Sequence, residues 1–296
     1  MRKTSRKKHP HAFLDGRVIP LEAKLLKRLT PGRIKAPGVF ETLLYDEGTV
    51  FLFDRHWSRL KKGLKILKMS CPYSRREMRR AIQRLLELNR PGCARVRLMV
   101  WCKRNVHAAI VIVPYRPYPA GTYKKGFRVF ISGLTIKHLP GRPAVKAVKY
   151  QPFADAYRDA IRRGCDEALL CNDEGYVVEA SRANIFVVRE GRLIAPRLTD
   201  GCLNGITRRV VLRLAKDRGI PCRTARISPR DLLGVGEIFL TNSLVGVMPV
   251  SRIRQHTIGA GQCGKMTRQL QAAYRRYLSG LARNRRGRAG RPGRGS

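Results

Sequence analysis

The sequence predicts a two-domain α/β protein, and three observations carry that expectation. The chain has 296 residues, about twice a typical domain length, so two separate cores are the natural division. Short apolar strand patterns alternate with helical ones along its length. A Pro/Gly-rich stretch from Pro114 to Gly121 interrupts the pattern, and prolines that remove backbone donors suit a connection between packed units. The expected division is an N-terminal α/β domain over 1–117, a larger C-terminal domain over 118–282, and a basic tail over 283–296.

In the first domain, strands are expected near Ala12 to Val18, Val39 to Tyr45 and Val50 to Phe53. A helix follows from about Arg55 to Met69, capped by Asp54, with His56, Leu60, Leu64 and Leu67 as its inward stripe. Ser74 and Glu77 have the spacing of a capping box, which starts a second helix over about 75 to 88. Strands at Arg95 to Trp101 and Ala108 to Val113 complete the domain. In the second domain a strand at Phe127 to Ile131 precedes a helix from Pro152, with Phe153, Ala156, Tyr157, Ala160 and Ile161 on one face and Gly164 at its end. Strands at Glu167 to Cys171, Val177 to Glu179, Asn184 to Arg189 and Arg192 to Ala195 are separated by the turns Asp173-Glu-Gly175 and Glu190-Gly191. A helix from Ile206 to Arg218 is stopped by Gly219 and Pro221. A strand at Glu237 to Thr241 and a last helix over about 266 to 278 close the reading.

Composition narrows the function classes. The longest apolar run, Ala108 to Val113, falls far short of the ~20 residues that cross a bilayer, and the basic N-terminus leads into no signal-peptide core. A cytoplasmic protein is expected. The eight cysteines form no C-x-x-C pair, against a zinc site or a disulfide framework. The net charge is +42, and since only eleven of the 62 basic residues lie in the two tails, the excess covers the folded body. Such a surface attracts polyanions and favours anionic substrates and cofactors. The Arg/Gly-rich segment 283–296 reads as disordered.

Chemistry concentrates between Lys146 and Pro249. An isolated lysine in Ala-Val-Lys-Ala-Val-Lys-Tyr can act as an amine nucleophile when its surroundings disfavour the charge. Lys146 is the candidate and Lys149 its rival; the bland reading is that both are surface lysines. Glu179 lies 33 residues on, in the apolar strand Val177-Val-Glu-Ala. Gly205-Ile206-Thr207 opens a helix, where unpaired N–H groups and the helix dipole favour an anion. Ser243 and Leu244 follow in a second turn, Thr241-Asn-Ser, and the Ser243 hydroxyl adds a donor.

This order resembles the class IV (fold type IV) pyridoxal-phosphate (PLP) enzymes, the family of branched-chain and D-amino-acid aminotransferases and aminodeoxychorismate lyase. The resemblance covers about Phe13 to Leu278. It is most specific in Gly175-Tyr-Val-Val-Glu-Ala-Ser-Arg-Ala-Asn-Ile-Phe186 and in the spacing from Lys146 to Gly164-Cys-Asp-Glu-Ala168. It implies a two-domain fold type IV architecture, PLP as cofactor, a homodimer, and amino and oxo acids as substrates. On it, Lys146 takes the Schiff-base position, Glu179 the pyridine nitrogen, and Tyr150 the cofactor's phenolic oxygen. Gly205, Ile206, Thr207, Ser243, Leu244 and Arg59 of Asp-Arg-His-Trp-Ser-Arg hold the cofactor and its phosphate, while Phe40 of Gly-Val-Phe-Glu and Arg97 line the substrate pocket. Departures exist: Lys149 stands where Asn is usual, Ala183 where Ser often precedes the Asn, and residues 30 to 38 replace the usual lead-in. Transamination is the first expectation. β-Elimination, as in aminodeoxychorismate lyase, is the second, and a basic nucleic-acid-binding protein with a lapsed site is the third.

Overall fold

The computed structural model describes residues 10–137, 141 and 143–289. The chain forms two compact units, one of residues 1–116 with 146–150, the other of 117–145 with 151–296. The short segment holding Lys146 thus leaves the sequence order of its neighbours and joins the first unit.

The first unit is a six-stranded antiparallel sheet in the order β2-β1-β6-β5-β3-β4. Its strands are β1 (His11–Leu14), β2 (Arg17–Pro20), β3 (Gly38–Asp46), β4 (Thr49–Val50), β5 (Ala94–Cys102) and β6 (Val106–Pro114). The single strand expected over 12 to 18 is instead the β1–β2 hairpin. Its Asp15-Gly16 turn has positive φ at both residues, +48° and +88°, the backbone that matches the twist of two paired strands. One face of the sheet packs on α2 (Phe53–Ile66) and α3 (Arg75–Asn89), burying Leu60, Leu64, Met78, Ile82 and Leu85. The Ser74–Glu77 capping box starts α3, with both reciprocal hydrogen bonds made. Asp54, in contrast, does not cap α2: the N-cap is Leu52 in a left-handed conformation, and Asp54 pairs with Arg79 at 2.8 Å. The other face carries the cluster of Phe40, Met99, Ala109, Val111, Leu29, Ile34 and Val148. A six-residue helix α1 (Ala23–Arg28), unexpected from the sequence, leads into this cluster.

The second unit is a mixed nine-stranded sheet. Its main path runs β12-β11-β10-β13-β14-β7-β8-β9, with β15 (His256–Thr257) paired to β14. These strands are β7 (Phe127–Ile136), β8 (Glu167–Asn172), β9 (Val177–Ala180), β10 (Asn184–Arg189), β11 (Arg192–Pro196), β12 (Cys222–Ala225), β13 (Glu237–Asn242) and β14 (Gly246–Ile253). The helices are α4 (Ala120–Lys125), α5 (Gln151–Arg162), α6 (Ile206–Lys216) and α7 (Lys265–Ala289). α5 buries Ala156 and Ala160 against Phe130, Ala168 and Leu170. Ile161, expected on that buried face, is 52% exposed, because it lies a residue beyond the Ala156–Ala160 row. α7 continues to Ala289, past the expected end at Leu278. The last part of the tail, residues 290–296, lies outside the described residues, as do the basic residues 1–9. Among the described residues no helix is long and apolar enough to cross a membrane.

Candidate active site

Alternation along β3 sends neighbouring side chains to opposite faces, and this separates two jobs. Phe40 faces the cluster that holds the lysine segment, whereas Glu41 faces α2. The Lys146–Tyr150 segment is held by backbone hydrogen bonds, two of them to β3. Phe40 N–H donates to the Lys146 carbonyl at 2.9 Å, and Val148 N–H donates to Gly38 at 3.0 Å. From the loop before β3, Gly32 N–H donates to Val148 at 2.7 Å. Val148 is fully buried, so the segment has an apolar anchor as well. Lys146 is half-buried, with Nζ 4.5 Å from the Phe40 ring centroid and 5.6 Å from that of Tyr150, within the range of a cation–π contact. Phe40 and Tyr150 meet edge to face at 5.3 Å. Lys149, the rival lysine, is exposed.

Arg97 lies across from Thr42 in the β3–β5 register, two residues from the Phe40–Met99 pair and on the same face. Its Nε is sealed from solvent and has no hydrogen-bond partner. Burial, with the Arg95 charge adding, pushes the guanidinium down to about 9 against the opposing pull of Tyr150. It is still a cation at neutral pH.

Arg59 is held on the opposite face. Its Nε and Nη2 donate to the two oxygens of Glu41 at 2.7 and 2.6 Å, and the His56 ring nitrogen Nδ1 sits 2.6 Å from Glu41 Oε2. Burial would raise the Glu41 carboxyl, but Arg59 and His56 outweigh it and hold it down at about 2. Burial lowers His56; Glu41 opposes this, and the Arg59 and Lys146 charges add to it. His56 is therefore a neutral ring whose Nδ1–H donates to an ionised acid. Two of the Arg59 nitrogens expected to meet phosphate are thus committed to Glu41.

In the second unit, Glu179 is buried at 7% exposure in a strand that is otherwise apolar. Its Oε2 accepts from the Leu203 N–H at 3.3 Å and faces the Asn184 amide at 3.4 Å. Gly205 is the N-cap of α6 and contributes no side-chain cap, so the first N–H groups of the helix have no intrahelical acceptor. Thr207 is buried, 3.5 Å from the Tyr274 hydroxyl. Tyr274, from α7, also packs where a Cβ on Gly246 would lie, 3.0 Å away. One buried tyrosine thus ties the start of α6 to the end of the Thr241–Val245 turn. In that turn the Asn242 side chain accepts from the Leu244 and Val245 N–H groups, both at 2.9 Å, and the buried Thr241 Oγ1 has no partner. Leu244, expected to hold the cofactor, therefore has its N–H already committed.

The structure brings together Phe40, Arg97, Lys146 and Tyr150 in the first unit, and Glu179, Gly205, Ile206 and Thr207 in the second. Arg59 joins the first set only across the sheet, through Glu41. Sequence reasoning missed Glu41, His56, Asn184 and Tyr274 as parts of the site. In the sequence His56 reads as an apolar-stripe residue, and the pairing of Glu41 with helix positions 15 and 18 residues downstream requires knowing that α2 folds back onto β3.

The family model for amino-transferase class IV matches residues 38–253. A branched-chain-amino-acid aminotransferase of Pseudomonas aeruginosa is 33% identical over 285 residues, spanning 90% of this chain and 92% of that protein. An aminodeoxychorismate lyase of Bacillus subtilis is 30% identical, spanning 94% and 98%. The solved structure of a T.th. branched-chain amino acid aminotransferase with pyridoxamine 5′-phosphate superposes with a TM-score of 0.82 at 27% identity, over 92% of this chain and 95% of that one.

Proposed function

The chain belongs to the class IV aminotransferase family of PLP enzymes, and from that premise we propose that it moves an amino group between an amino acid and a 2-oxo acid, with Lys146 as nucleophile and proton carrier. The observation that carries this reading is the placement of the half-buried Lys146 side chain beside Phe40 and Tyr150, on a segment held by three backbone hydrogen bonds.

The residues present suit the cofactor. A helix start without a side-chain cap and an unpartnered Thr241 hydroxyl suit a phosphate. A buried carboxylate on an apolar strand suits a protonated ring nitrogen. When bound, PLP supplies an aldehyde that takes up the amino group and a ring that withdraws electrons from the substrate's Cα. Glu179 holds the proton on the ring nitrogen. Gly205, Ile206, Thr207 and Ser243 would meet the phosphate, with Leu244 shaping the same turn as Ser243. Arg59 would meet the phosphate as a guanidinium whose orientation is set, and whose charge is paired, by Glu41. The Tyr150 hydroxyl would meet the phenolic oxygen, and Lys146 Nζ would carry the proton at the substrate's Cα.

Phe40 packs among Met99, Ala109, Val111 and Ile34, an apolar wall beside the Arg97 cation. That pairing supports amino acids with apolar, branched side chains, the Arg97 charge meeting a substrate carboxylate. A second reading, β-elimination, draws on the run Asn242-x-Leu-x-x-Val-Met-Pro-Val and on the Bacillus relative's name. A panel of L- and D-amino acids with 2-oxoglutarate or pyruvate, run beside aminodeoxychorismate, separates the two. Oxo-acid-dependent amino transfer supports the first, and release of pyruvate from aminodeoxychorismate without an acceptor replaces it with the second.

A cytoplasmic homodimer belongs to the same proposal, and sedimentation equilibrium tests the dimer. So does non-specific polyanion binding. Lys61, Lys62, Lys65 and Lys68 border an open groove of about 620 Å³ with no acidic residue in its lining. Changing Lys61 and Lys65 to Gln would flatten the log–log salt dependence of polyanion affinity by about two units; an unchanged slope would locate the binding elsewhere.

A further inference from the structure

Leu203 stands where three hydrogen bonds meet. Its N–H donates to Glu179 Oε2 at 3.3 Å, and its carbonyl accepts from the Asn184 amide at 2.8 Å and from the Gly205 N–H at 2.8 Å. Asn184 Nδ2 carries two hydrogens, so the nitrogen bonded to Leu203 also faces Glu179 Oε2, at 3.4 Å. The other end of the same amide reaches the helix start: a Cβ on Gly205 would lie 1.9 Å from Asn184 Oδ1. Asn184 is itself buried, and its backbone is opposite Thr241 in the β10–β13 register.

We propose that Asn184 is a positioning residue that joins the Glu179 carboxylate to the N-terminus of α6, so that the contacts to the cofactor's ring nitrogen and phosphate keep one fixed spacing. The proposal rests on the reading above, in which those two groups hold PLP. The 3.4 Å contact lies at the long edge of hydrogen bonding, so the 2.8 Å bond to Leu203 carries the linkage. Glu179 is then aligned through the Leu203 N–H. An aspartate at 184 would keep the shape, lose both donated hydrogens, and place a second carboxylate against the first.

The test uses wild type, Asn184→Asp, Asn184→Ala, Glu179→Gln and the Asn184→Ala/Glu179→Gln double variant, each checked for folding by thermal unfolding of the apoprotein. Asn184→Ala, which removes the amide without adding charge, serves where Asn184→Asp does not fold. Three quantities are read: kcat, the affinity of the apoprotein for inorganic phosphate, and the nitrogen NMR shift of PLP labelled with ¹⁵N in the ring. In the Asn184 variants the ring-nitrogen signal should move toward the unprotonated position, as in Glu179→Gln. Turnover should fall by about a hundredfold, the scale of an ångström-sized misplacement, and phosphate affinity should stay within about twofold because α6 is intact. The double variant should be no slower than Glu179→Gln alone. In wild type, pyridoxal lacking its phosphate should tighten inorganic phosphate severalfold, since two contacts on one rigid frame are coupled. A wild-type ring-nitrogen signal in folded, PLP-binding Asn184 variants, or fully additive losses, would overturn this proposal alone. A wild-type protein that takes up no PLP would overturn the site reading and this proposal with it.

Discussion

Arg59 and Glu41 form a two-pronged ion pair, Nε to Oε1 at 2.7 Å and Nη2 to Oε2 at 2.6 Å, in which the half-buried guanidinium meets an acid that is only 1% exposed. Its acid partner sits next in sequence to Phe40, whose backbone N–H holds the Lys146 carbonyl. The guanidinium and the lysine segment are therefore placed by two consecutive residues of one strand.

That pair governs the acid limb of stability. Glu41 is held at about 2 against an ordinary value of 4.5; a depressed acid stabilises the fold above its unfolded pKa and loses that contribution as pH falls toward about 2. The shift corresponds to on the order of 3 kcal/mol. His56 is also lowered, so the unfolded chain takes up its proton first and stability begins to decline below the ordinary histidine range. Both effects have the same sign. Urea unfolding from about pH 7 to about pH 3 should show this decline. Glu41→Gln, which leaves the half-buried Arg59 without its counter-charge, should cost about 3 kcal/mol at neutral pH and flatten the acid limb. An acid limb equal to that of wild type would place the sensitive group elsewhere.

Gly205→Ala tests the packing at the start of α6. Its backbone φ of −62° suits alanine, so conformational strain is not the issue; the new Cβ would collide with Asn184 Oδ1. The substitution should cost about 1–3 kcal/mol by overpacking, and adding Asn184→Ala should recover part of that loss, a coupling that chemical denaturation of the four variants measures. Simple additivity would mean the two groups do not meet.

Glu179→Gln should retain PLP yet turn over about a hundredfold more slowly or worse, because a neutral amide no longer holds a proton on the ring nitrogen. Cofactor affinity and single-turnover rate, measured separately, distinguish this from loss of binding. Wild-type rates would show that Glu179 does not serve the ring.

Much of the fold was legible because local chemistry agreed with the final structure. Ser74 and Glu77 announced α3, and the turns at Gly175 and Gly191 divided the strands of the second unit. The misses have physical causes. α1 is only six residues long, and its Leu25 and Leu26 pack half-buried against the Phe40 cluster, too short a run for helical periodicity to declare itself. β14 contains Pro249 and the buried Ser251, which break the expected pattern; its place between β13 and β7 is fixed by pairing with a strand more than a hundred residues earlier. Asp15-Gly16 is a hairpin signal that the expectation of one continuous strand overlooks. In the site, Lys146 and Glu179 stand out only through the family resemblance carried by the Gly175–Phe186 run and by the spacing from Lys146 to Ala168; without it they read as a surface lysine and an ordinary strand glutamate. Tyr274 does not, because its meeting with Thr207 spans 67 residues.

The most direct measurement is the site of covalent attachment. The protein is loaded with PLP, reduced with borohydride, digested, and the phosphopyridoxyl peptide located by mass spectrometry, alongside Lys146→Ala and Lys149→Ala. One modified residue is expected, Lys146, retained in Lys149→Ala and lost with nearly all turnover in Lys146→Ala. An adduct on Lys149, or none in a folded protein at saturating PLP, would contradict it.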